Sequence, residues 1–322
     1  MLFVIDNHIP YIAGVFEQCG HSCVYLPPEA ITAEICQPAD CLVVRTRTKC
    51  DAALLEGSNV KCIATATIGY DHIDTNYCKL HGITVFSSPG CNAEAVRQWV
   101  FAAINAWAAR RGKNPVELTL GIVGVGHVGG AVKKHATANG MKVVCCDPPL
   151  MRNDNTLNYV ELSKIAQEAD IVTFHTPLTR SGNDATYHLC GKQFLDIFAS
   201  HGYLLLNASR GGVLDECCAK THPNIDFAID CWEGEPNIDI DFLNQTLIAT
   251  PHIAGYSAQG KANATTMVVR QISKLFGLGL DNWTAQCPTD SETQQYDIMA
   301  DDKALRNNPC GFEQLRSSYK FR

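Results

Sequence analysis

Leu120-Gly121-Ile122-Val123-Gly124-Val125-Gly126-His127-Val128-Gly129 is the stretch that decides the fold. Its apolar run enters a glycine-rich turn, which predicts a buried strand, a tight turn and a helix. Gly124 permits the turn, Gly126 lets the backbone approach a pyrophosphate, and Gly129 lets the helix pack against the strand. His127 and Val128 begin the helix, whose unpaired N–H groups and positive dipole end favour phosphate. The stretch therefore predicts a dinucleotide site.

A second apolar run, 142–146, ends at Asp147. A carboxylate at this strand end accepts hydrogen bonds from both ribose hydroxyls and repels a 2′-phosphate. The sequence therefore predicts NAD as the cofactor rather than NADP. The alternative is a glycine turn that binds no ligand, but the strand, the helix and the acid all agree with a cofactor site.

Composition restricts the class of protein. The 322 residues are enough for two domains, and the net charge of −7 disfavours a nucleic-acid partner. The first residues lack the basic and apolar regions of a signal peptide, and no apolar run is long enough to cross a bilayer. We therefore expect no membrane partner and a cytoplasmic location.

Sixteen cysteines are present, but none forms a Cys-x-x-Cys pair. Most lie in apolar segments, which is typical of buried thiols in a reducing compartment. We therefore predict neither a metal site nor a disulfide framework. Cys91, in a predicted loop, is the expected exposed thiol.

Short apolar runs alternate with helical segments along the chain, which predicts parallel sheets covered on both faces. The N-terminal part has strand candidates at 2–5, 41–45, 61–64 and 84–86, followed by a long helix at 93–111. After the glycine stretch, further strands are predicted at 171–174, 203–206, 226–229 and 246–248, giving about six strands in the cofactor domain.

The fold class predicted is α/β, with two doubly wound parallel-sheet domains and a short C-terminal appendage. Residues 1–93 form a flavodoxin-like substrate domain, completed by a helix at about 257–277. Residues 94–256 form a Rossmann-type NAD-binding domain. Residues 278–322 form the appendage, which we expect to fold against the body or a partner subunit.

Three polar loops follow successive predicted strands of the cofactor domain and contain Arg210, Glu235 and His252. In an open α/β sheet, ligands bind beyond the carboxyl ends of the strands, so these loops face one crevice. Arginine can hold a carboxylate, histidine can accept an alcohol proton, and a buried glutamate orients the ring and favours imidazolium. Individually the three residues also fit a surface charge, a helix-entry residue and a turn histidine, but together they predict oxidation of a 2-hydroxy acid.

Further motifs surround these loops in the sequence. They are Val44-Arg45-Thr46-Arg47-Thr48-Lys49, Ala64-Thr65-Ala66-Thr67-Ile68-Gly69-Tyr70-Asp71-His72, Ser88-Pro89-Gly90-Cys91-Asn92-Ala93, Cys146-Asp147-Pro148-Pro149 and Thr250-Pro251-His252-Ile253-Ala254-Gly255-Tyr256-Ser257.

With these motifs, about the first 277 residues resemble the D-2-hydroxyacid dehydrogenase family. The resemblance implies that Arg210 and Glu235 are active-site residues and that His252 transfers the proton. It implies NAD contacts by Asp147, Thr176, Asp230 and Gly255, and substrate contacts by Thr46, Thr67 and Tyr256. Purely structural roles are the alternatives: the hydroxyls of Thr46 and Thr67 would bond to the backbone, Tyr256 would pack at the start of a helix, and Asp230 would cap a turn.

The branch of the family that the motifs resemble oxidises 4-phospho-D-erythronate in pyridoxal 5′-phosphate (vitamin B6) synthesis. A phosphorylated substrate needs cations, and our hypothesis is that Arg45 or Arg47 contacts the phosphate; the alternative is a solvated edge. Members of this branch have a C-terminal dimerisation domain, of which 278–322 resembles a shortened form, so a homodimer is expected.

Two other functions stay open at this stage. The first is another enzyme of the family, acting on 3-phosphoglycerate or on glycerate and hydroxypyruvate, since the catalytic residues serve those reactions equally. The second is a non-catalytic NAD-sensing protein on the same scaffold. Turnover of any 2-hydroxy acid separates the sensor from the enzymes.

Overall fold

The short apolar runs of the N-terminal region become a parallel sheet. The strands are β1 (Leu2–Asp6), β2 (Ser22–Leu26), β3 (Cys41–Val44), β4 (Cys62–Thr65) and β5 (Thr84–Phe86). They lie in the order β2-β1-β3-β4-β5, which is the flavodoxin-like order. Alternate residues of β1 enter different core clusters, Phe3 and Ile5 in one and Val4 in the other, so both faces of the sheet are covered.

This computed structural model describes residues 1–154, 158–287 and 296–320. The chain divides into two units, of which the first comprises Met1–Asn92 and the described part of Ser257–Thr293. Three short helices connect its strands: α1 (Ala33–Cys36), α2 (Ala52–Leu55) and α3 (Thr75–Leu80). Asp51 and Asp74 cap α2 and α3 by accepting hydrogen bonds from backbone N–H groups of the first turn.

The second unit comprises Ala93–Tyr256 and the described part of Gln294–Arg322. Its sheet has the order β11-β10-β9-β8-β6-β7, all parallel. The elements are α4 (Ala93–Arg111), β6 (Thr119–Val123), α5 (His127–Ala138), β7 (Lys142–Cys146), α6 (Pro148–Asn153), α7 (Leu162–Glu168), β8 (Ile171–Phe174), α8 (Lys192–Phe198), β9 (Leu204–Asn207), α9 (Glu216–Ala219), β10 (Asp226–Ile229), α10 (Ile240–Gln245) and β11 (Ile248–Ala249).

The crossover from β7 back to β8 creates a switch point between β6 and β8, where a dinucleotide binds in folds of this kind. Beyond β7, the backbone N–H of Val160 donates to the carbonyl of Cys145 at 2.8 Å. The prediction of two doubly wound parallel sheets is confirmed. Single 3-10 turns lie at Glu17–Cys19, Pro28–Ala30, Pro115–Glu117, Gly211–Val213 and Pro309–Gly311.

In the described part of the chain after the second sheet, the helices are α11 (Ala258–Phe276), α12 (Ile298–Asn307) and α13 (Phe312–Ser317). Helix α11 returns to the first unit, where Val268 and Ile272 join the core cluster of β1. It begins at a Ser257 cap and ends at Gly277, which has a φ of 68°.

Helices α12 and α13 pack on the second unit, so the segment 278–322 is divided between the units instead of forming one appendage. Oδ1 of Asp302 accepts from the N–H of Ala249 in β11 at 2.8 Å. Arg306 donates to the carbonyls of Leu243 and Thr246, both at 2.8 Å. Leu305 and Phe312 are fully buried in the core of the same unit.

The sixteen cysteines are free thiols, and ten of them are buried. The expectation that Cys91 is exposed is wrong, because this side chain is 8 % exposed and packs in the core of the first unit. The exposed thiols are Cys217 and Cys310. Among the described residues, no helix is both long enough and apolar enough to cross a membrane.

Candidate active site

The glycine turn after β6 leaves no room for side chains at two positions. Gly124 has a φ of 86°, and a Cβ there would lie 2.8 Å from the carbonyl oxygen of His175. A Cβ on Gly129 would overlap the carbonyl oxygen of Gly124. Both glycines are therefore required by the close packing of the turn, strand and helix.

The start of α5 has the features of a phosphate site. No side chain caps α5 at Gly126, and a Cβ on Gly126 would meet no atom within 4 Å. The backbone N–H groups of His127, Val128 and Gly129 lie in the first helical turn, where a helix N-terminus attracts anions. The space and the polarity both fit the pyrophosphate of a dinucleotide.

Thr176 lies against the glycine turn, with its Cγ2 3.0 Å from where a Cβ on Gly124 would be. Its buried Oγ1 has no hydrogen-bond partner among the described residues, and neither has Nδ1 of the adjacent His175. Buried polar atoms are rarely left unpaired, so these two fit a site that a ligand completes. Sequence analysis missed His175; its position directly after β8 was the available signal.

Asp147, directly after β7, is half-buried and holds two parts of the backbone together. Oδ2 accepts from the N–H of Val125 at 2.7 Å, and Oδ1 accepts from the N–H of Leu150 at 3.0 Å. The carboxylate therefore fixes the glycine turn to the start of α6 and keeps lone pairs for further donors, as a ribose would provide.

His252 and Glu235 form a hydrogen-bonded dyad. Nδ1 of His252 lies 2.7 Å from Oε2 of Glu235, and Oε1 of Glu235 accepts from the N–H of Trp232 at 2.8 Å. Burial alone would raise the pKa of Glu235, but the hydrogen bond and charge of His252, the Trp232 N–H and the charge of Arg316 lower it overall. Because the ionised carboxylate only accepts, Nδ1 carries the proton and Nε2 is left to exchange one.

The loop that holds His252 is built on Asp230, which is 1 % exposed. Oδ1 accepts from Oγ1 of Thr250 at 2.5 Å and from the N–H of Ile253 at 2.8 Å; Oδ2 accepts from the N–H of Ala254 at 3.0 Å. His252 has a φ of 57°, a strained conformation for a residue with a Cβ. Asp230 thus stabilises the backbone on which the dyad depends, and its NAD contact stays a prediction.

Arg210 follows β9 on a loop shaped by Asn207. The side-chain amide of Asn207 donates to the carbonyl of Arg210 at 3.0 Å and accepts from the N–H of Ser209 at 3.2 Å. Arg210 is half-buried, and its guanidinium donates to the carbonyl of Ser209 at 2.8 Å.

Cys231 connects the three loops. Its Sγ donates to the carbonyl of Ser209 at 3.4 Å, and it lies with ligand atoms of Glu235 and His252, all within 4.8 Å of one another. Burial raises the pKa of Cys231, and the charge of Arg210 acts in the opposite direction. Arg210, Glu235 and His252 are therefore neighbours around one buried thiol.

Gly255 and Tyr256 follow the dyad and are half-buried. The Tyr256 hydroxyl accepts from Nε of Arg316 at 3.2 Å. Sequence analysis assigned no role to Arg316, because its position depends on how α13 packs.

The other predicted substrate residues lie in the first unit. Thr46 is exposed in the turn after β3. Oγ1 of Thr67 donates to the carbonyl of Gly69 at 3.0 Å. This local bond fits the alternative that the hydroxyl has a structural role. Nε of Arg45 donates to Oδ2 of the fully buried Asp6 at 2.9 Å, so Arg45 already has a carboxylate partner.

Glu216 is 4 % exposed and binds the loop that contains Glu235. Its Oε1 accepts a hydrogen bond from the N–H of Glu233 at 2.7 Å. Burial raises the pKa of Glu216 to about 8, with the charges of Glu233, Asp239 and Glu235 adding to the effect. A carboxyl whose pKa is raised in the folded state contributes most to the free energy of unfolding below its unfolded-state pKa of about 4.3. This contribution is lost as the pH rises to about 8.

We therefore expect Glu216→Gln to be more stable than the wild type at pH 8, because the amide keeps the acceptor and cannot ionise. The difference in the free energy of unfolding between Glu216→Gln and the wild type should grow by up to about 1.4 kcal/mol for each pH unit between pH 5 and 8. Thermal unfolding at pH 5, 6.5 and 8 measures it, with the exposed Glu34→Gln as the matched control. A gap that does not change with pH contradicts the expectation.

Comparisons with known proteins agree with this geometry. Residues 92–254 match the family model "D-isomer specific 2-hydroxyacid dehydrogenase, NAD binding domain". An erythronate-4-phosphate dehydrogenase of Bacteroides fragilis is 41 % identical, over 100 % of this chain and 97 % of that protein. One of Porphyromonas gingivalis is 40 % identical, over 99 % and 92 %. These matches include the C-terminal segment.

Among solved structures, an NAD⁺-bound 3-phosphoglycerate dehydrogenase of Entamoeba histolytica superimposes with a TM-score of 0.71. It is 24 % identical, and the match covers 89 % of this chain and 98 % of that one. At this identity, the similarity supports the assignment of the fold only.

Proposed function

The chain belongs to the D-isomer specific 2-hydroxyacid dehydrogenase family and uses NAD, and on that premise we propose that it oxidises 4-phospho-D-erythronate at C2. The product is 2-oxo-3-hydroxy-4-phosphobutanoate, a precursor in pyridoxal 5′-phosphate synthesis. The observation that most supports this substrate is the 41 % identity to an erythronate-4-phosphate dehydrogenase over the whole chain.

The residues around Cys231 have the roles that the reaction needs. Arg210 binds the substrate carboxylate and the C2 oxygen through its planar guanidinium. His252 takes the C2 hydroxyl proton at Nε2, because Nδ1 is engaged by Glu235. Glu235 fixes the orientation of the ring and stabilises the imidazolium that forms.

The cofactor site is proposed at the switch point of the second sheet. Gly124, Gly126, His127, Val128 and Gly129 hold the pyrophosphate, and Asp147 holds the ribose. Thr176, Asp230 and Gly255 make the further contacts that the family resemblance implies. When bound there, NAD accepts the hydride from C2.

Substrate contacts by Thr46, Thr67, Tyr256 and Arg45 remain part of the proposal. Thr46 has a hydroxyl in an exposed turn, and Thr67 has one two residues after β4. Tyr256 lies four residues after the proton-transferring histidine. Arg45 is the least suited to a phosphate, since it is paired with Asp6.

A comparison of substrates tests the function. We expect kcat/KM for NADH formation to be at least about 100-fold higher with 4-phosphoerythronate than with 3-phosphoglycerate or glycerate, about 2.7 kcal/mol of transition-state discrimination. NADH absorbance with the three acids side by side measures it. Equal rates would leave only the family assignment, and no turnover with any acid would favour the NAD-sensing alternative.

We further propose a homodimer in the cytoplasm. Light scattering at micromolar concentration should give twice the 35.2 kDa mass of the chain. A monomeric mass at that concentration contradicts the dimer and leaves the catalytic proposal unaffected.

A further inference from the structure

Helix α13 places a second arginine, Arg316, at Tyr256. Nε of Arg316 donates to the hydroxyl of Tyr256 at 3.2 Å. Its charge lowers the pKa of Glu235, and Arg210 and Arg316 both act on the thiol of Cys231. Arg316 therefore contacts Tyr256, four residues after His252, and the proposed reaction at C2 uses only Arg210.

The position of Arg316 is defined by the packing of its helix. Phe312, at the start of α13, is fully buried, and Leu315 packs against the same core cluster. The ring of Tyr319 lies 6.1 Å from the ring of Tyr256 in an edge-to-face arrangement. The packing of α13 on the second unit thus presents Arg316 at Tyr256.

Among the described residues, Arg316 has one hydrogen bond and one longer ion pair. Its hydrogen bond goes to a neutral hydroxyl, and Oε2 of Glu313 is 3.7 Å from Nη1, beyond hydrogen-bond distance. The side chain is 29 % exposed. The carboxylate paired with Arg316 in the described part of the chain is the half-exposed Glu313, at the long distance of 3.7 Å. A partly desolvated guanidinium with five N–H donors and so distant a carboxylate is suited to bind a multivalent oxyanion.

Two of the three basic residues after β3, Arg45 and Lys49, are already paired with carboxylates. Arg45 contacts the buried Asp6 at 2.9 Å, and Nζ of Lys49 lies 2.7 Å from Oδ2 of Asp51. Binding a phosphate there would compete with those ion pairs. Among the residues that the structure describes, Arg316 has only the longer ion pair with Glu313, at 3.7 Å, to compete with.

We propose that Arg316 recognises the phosphate of the substrate, with the Tyr256 hydroxyl orienting its guanidinium. The inference rests on the proposed function, because it requires a phosphorylated 2-hydroxy acid. Arg210 then binds the carboxylate end, and the C-terminal segment determines specificity for the phosphorylated end.

The test compares Arg316→Gln and Arg316→Lys with the wild type on 4-phosphoerythronate and on unphosphorylated erythronate. We expect Arg316→Gln to lower kcat/KM for the phosphorylated acid by about 50-fold or more, mainly through KM, and to change that for erythronate by less than about threefold. Arg316→Lys should recover part of the loss, since it restores the charge without the planar fork. Lys320→Gln, which removes an exposed charge three residues after α13, is the matched control.

Equal losses on both acids would assign Arg316 to the positioning of Tyr256 and overturn the inference, as would an unchanged KM. Melting temperature and NADH binding by fluorescence show whether the variant is folded. If the wild type itself shows no preference for the phosphorylated acid, the proposed function fails and the inference falls with it. If the preference is present and Arg316→Gln keeps it, only the inference fails.

Discussion

His252→Ala should lower kcat by about 10³-fold while NADH binding changes by less than about threefold. In the proposed mechanism the imidazole takes the C2 hydroxyl proton, and alanine offers no base in its place. The loop itself is held by Asp230 and Thr250 rather than by the imidazole ring, so the cofactor site should persist. Steady-state rates measure kcat, and a fluorescence titration measures the dissociation constant of NADH.

Glu235→Gln is the matched variant for this experiment. The amide oxygen can still accept from Trp232 or from Nδ1 of His252, but the charge that stabilises imidazolium is lost. We expect a smaller loss of kcat, about 10²-fold. Comparable activity of His252→Ala and the wild type, or loss of NADH binding with loss of kcat, would contradict the assigned role.

Much of the fold follows from local sequence. The predicted strands at 84–86, 171–174 and 226–229 and the helix at 93–111 coincide with β5, β8, β10 and α4, because apolar runs there end at polar residues. Strand β2 (Ser22–Leu26) was not predicted: its apolar run, 23–26, is only four residues long, and the strand pairs only with β1. An edge strand of this kind has little periodicity of its own.

The site is predictable to the extent that it depends on strand ends. Arg210, Glu235 and His252 follow β9, β10 and β11, so the parallel order alone brings their loops to one edge of the sheet. Arg316 could not be found in this way, because it reaches Tyr256 only through the packing of α12 and α13 on the second unit. Tertiary contacts of that kind have no local signal in the sequence.

Asp230→Asn should reduce both stability and activity, because the carboxylate is the acceptor for three donors. Thr250, Ile253 and Ala254 all direct O–H or N–H groups at its two oxygens. An amide replaces one acceptor by an NH₂ group that faces a donor, in a place with almost no solvent access. We expect a loss of about 2–4 kcal/mol in the free energy of unfolding.

The effect on catalysis should exceed what lower stability explains, since His252 has a strained φ of 57° that the surrounding bonds must maintain. We expect kcat to fall about 10²-fold at a temperature where the variant is still folded. Asp226→Asn, at the opposite end of β10, is the matched control: its carboxylate binds Trp107 and Arg111, away from the dyad. Denaturant unfolding and kcat for both variants decide the matter. Equal kcat for the two would mean that Asp230 does not hold the dyad in place, whereas a selective loss at Asp230 makes the strained loop, and not the sheet below it, the element that positions His252.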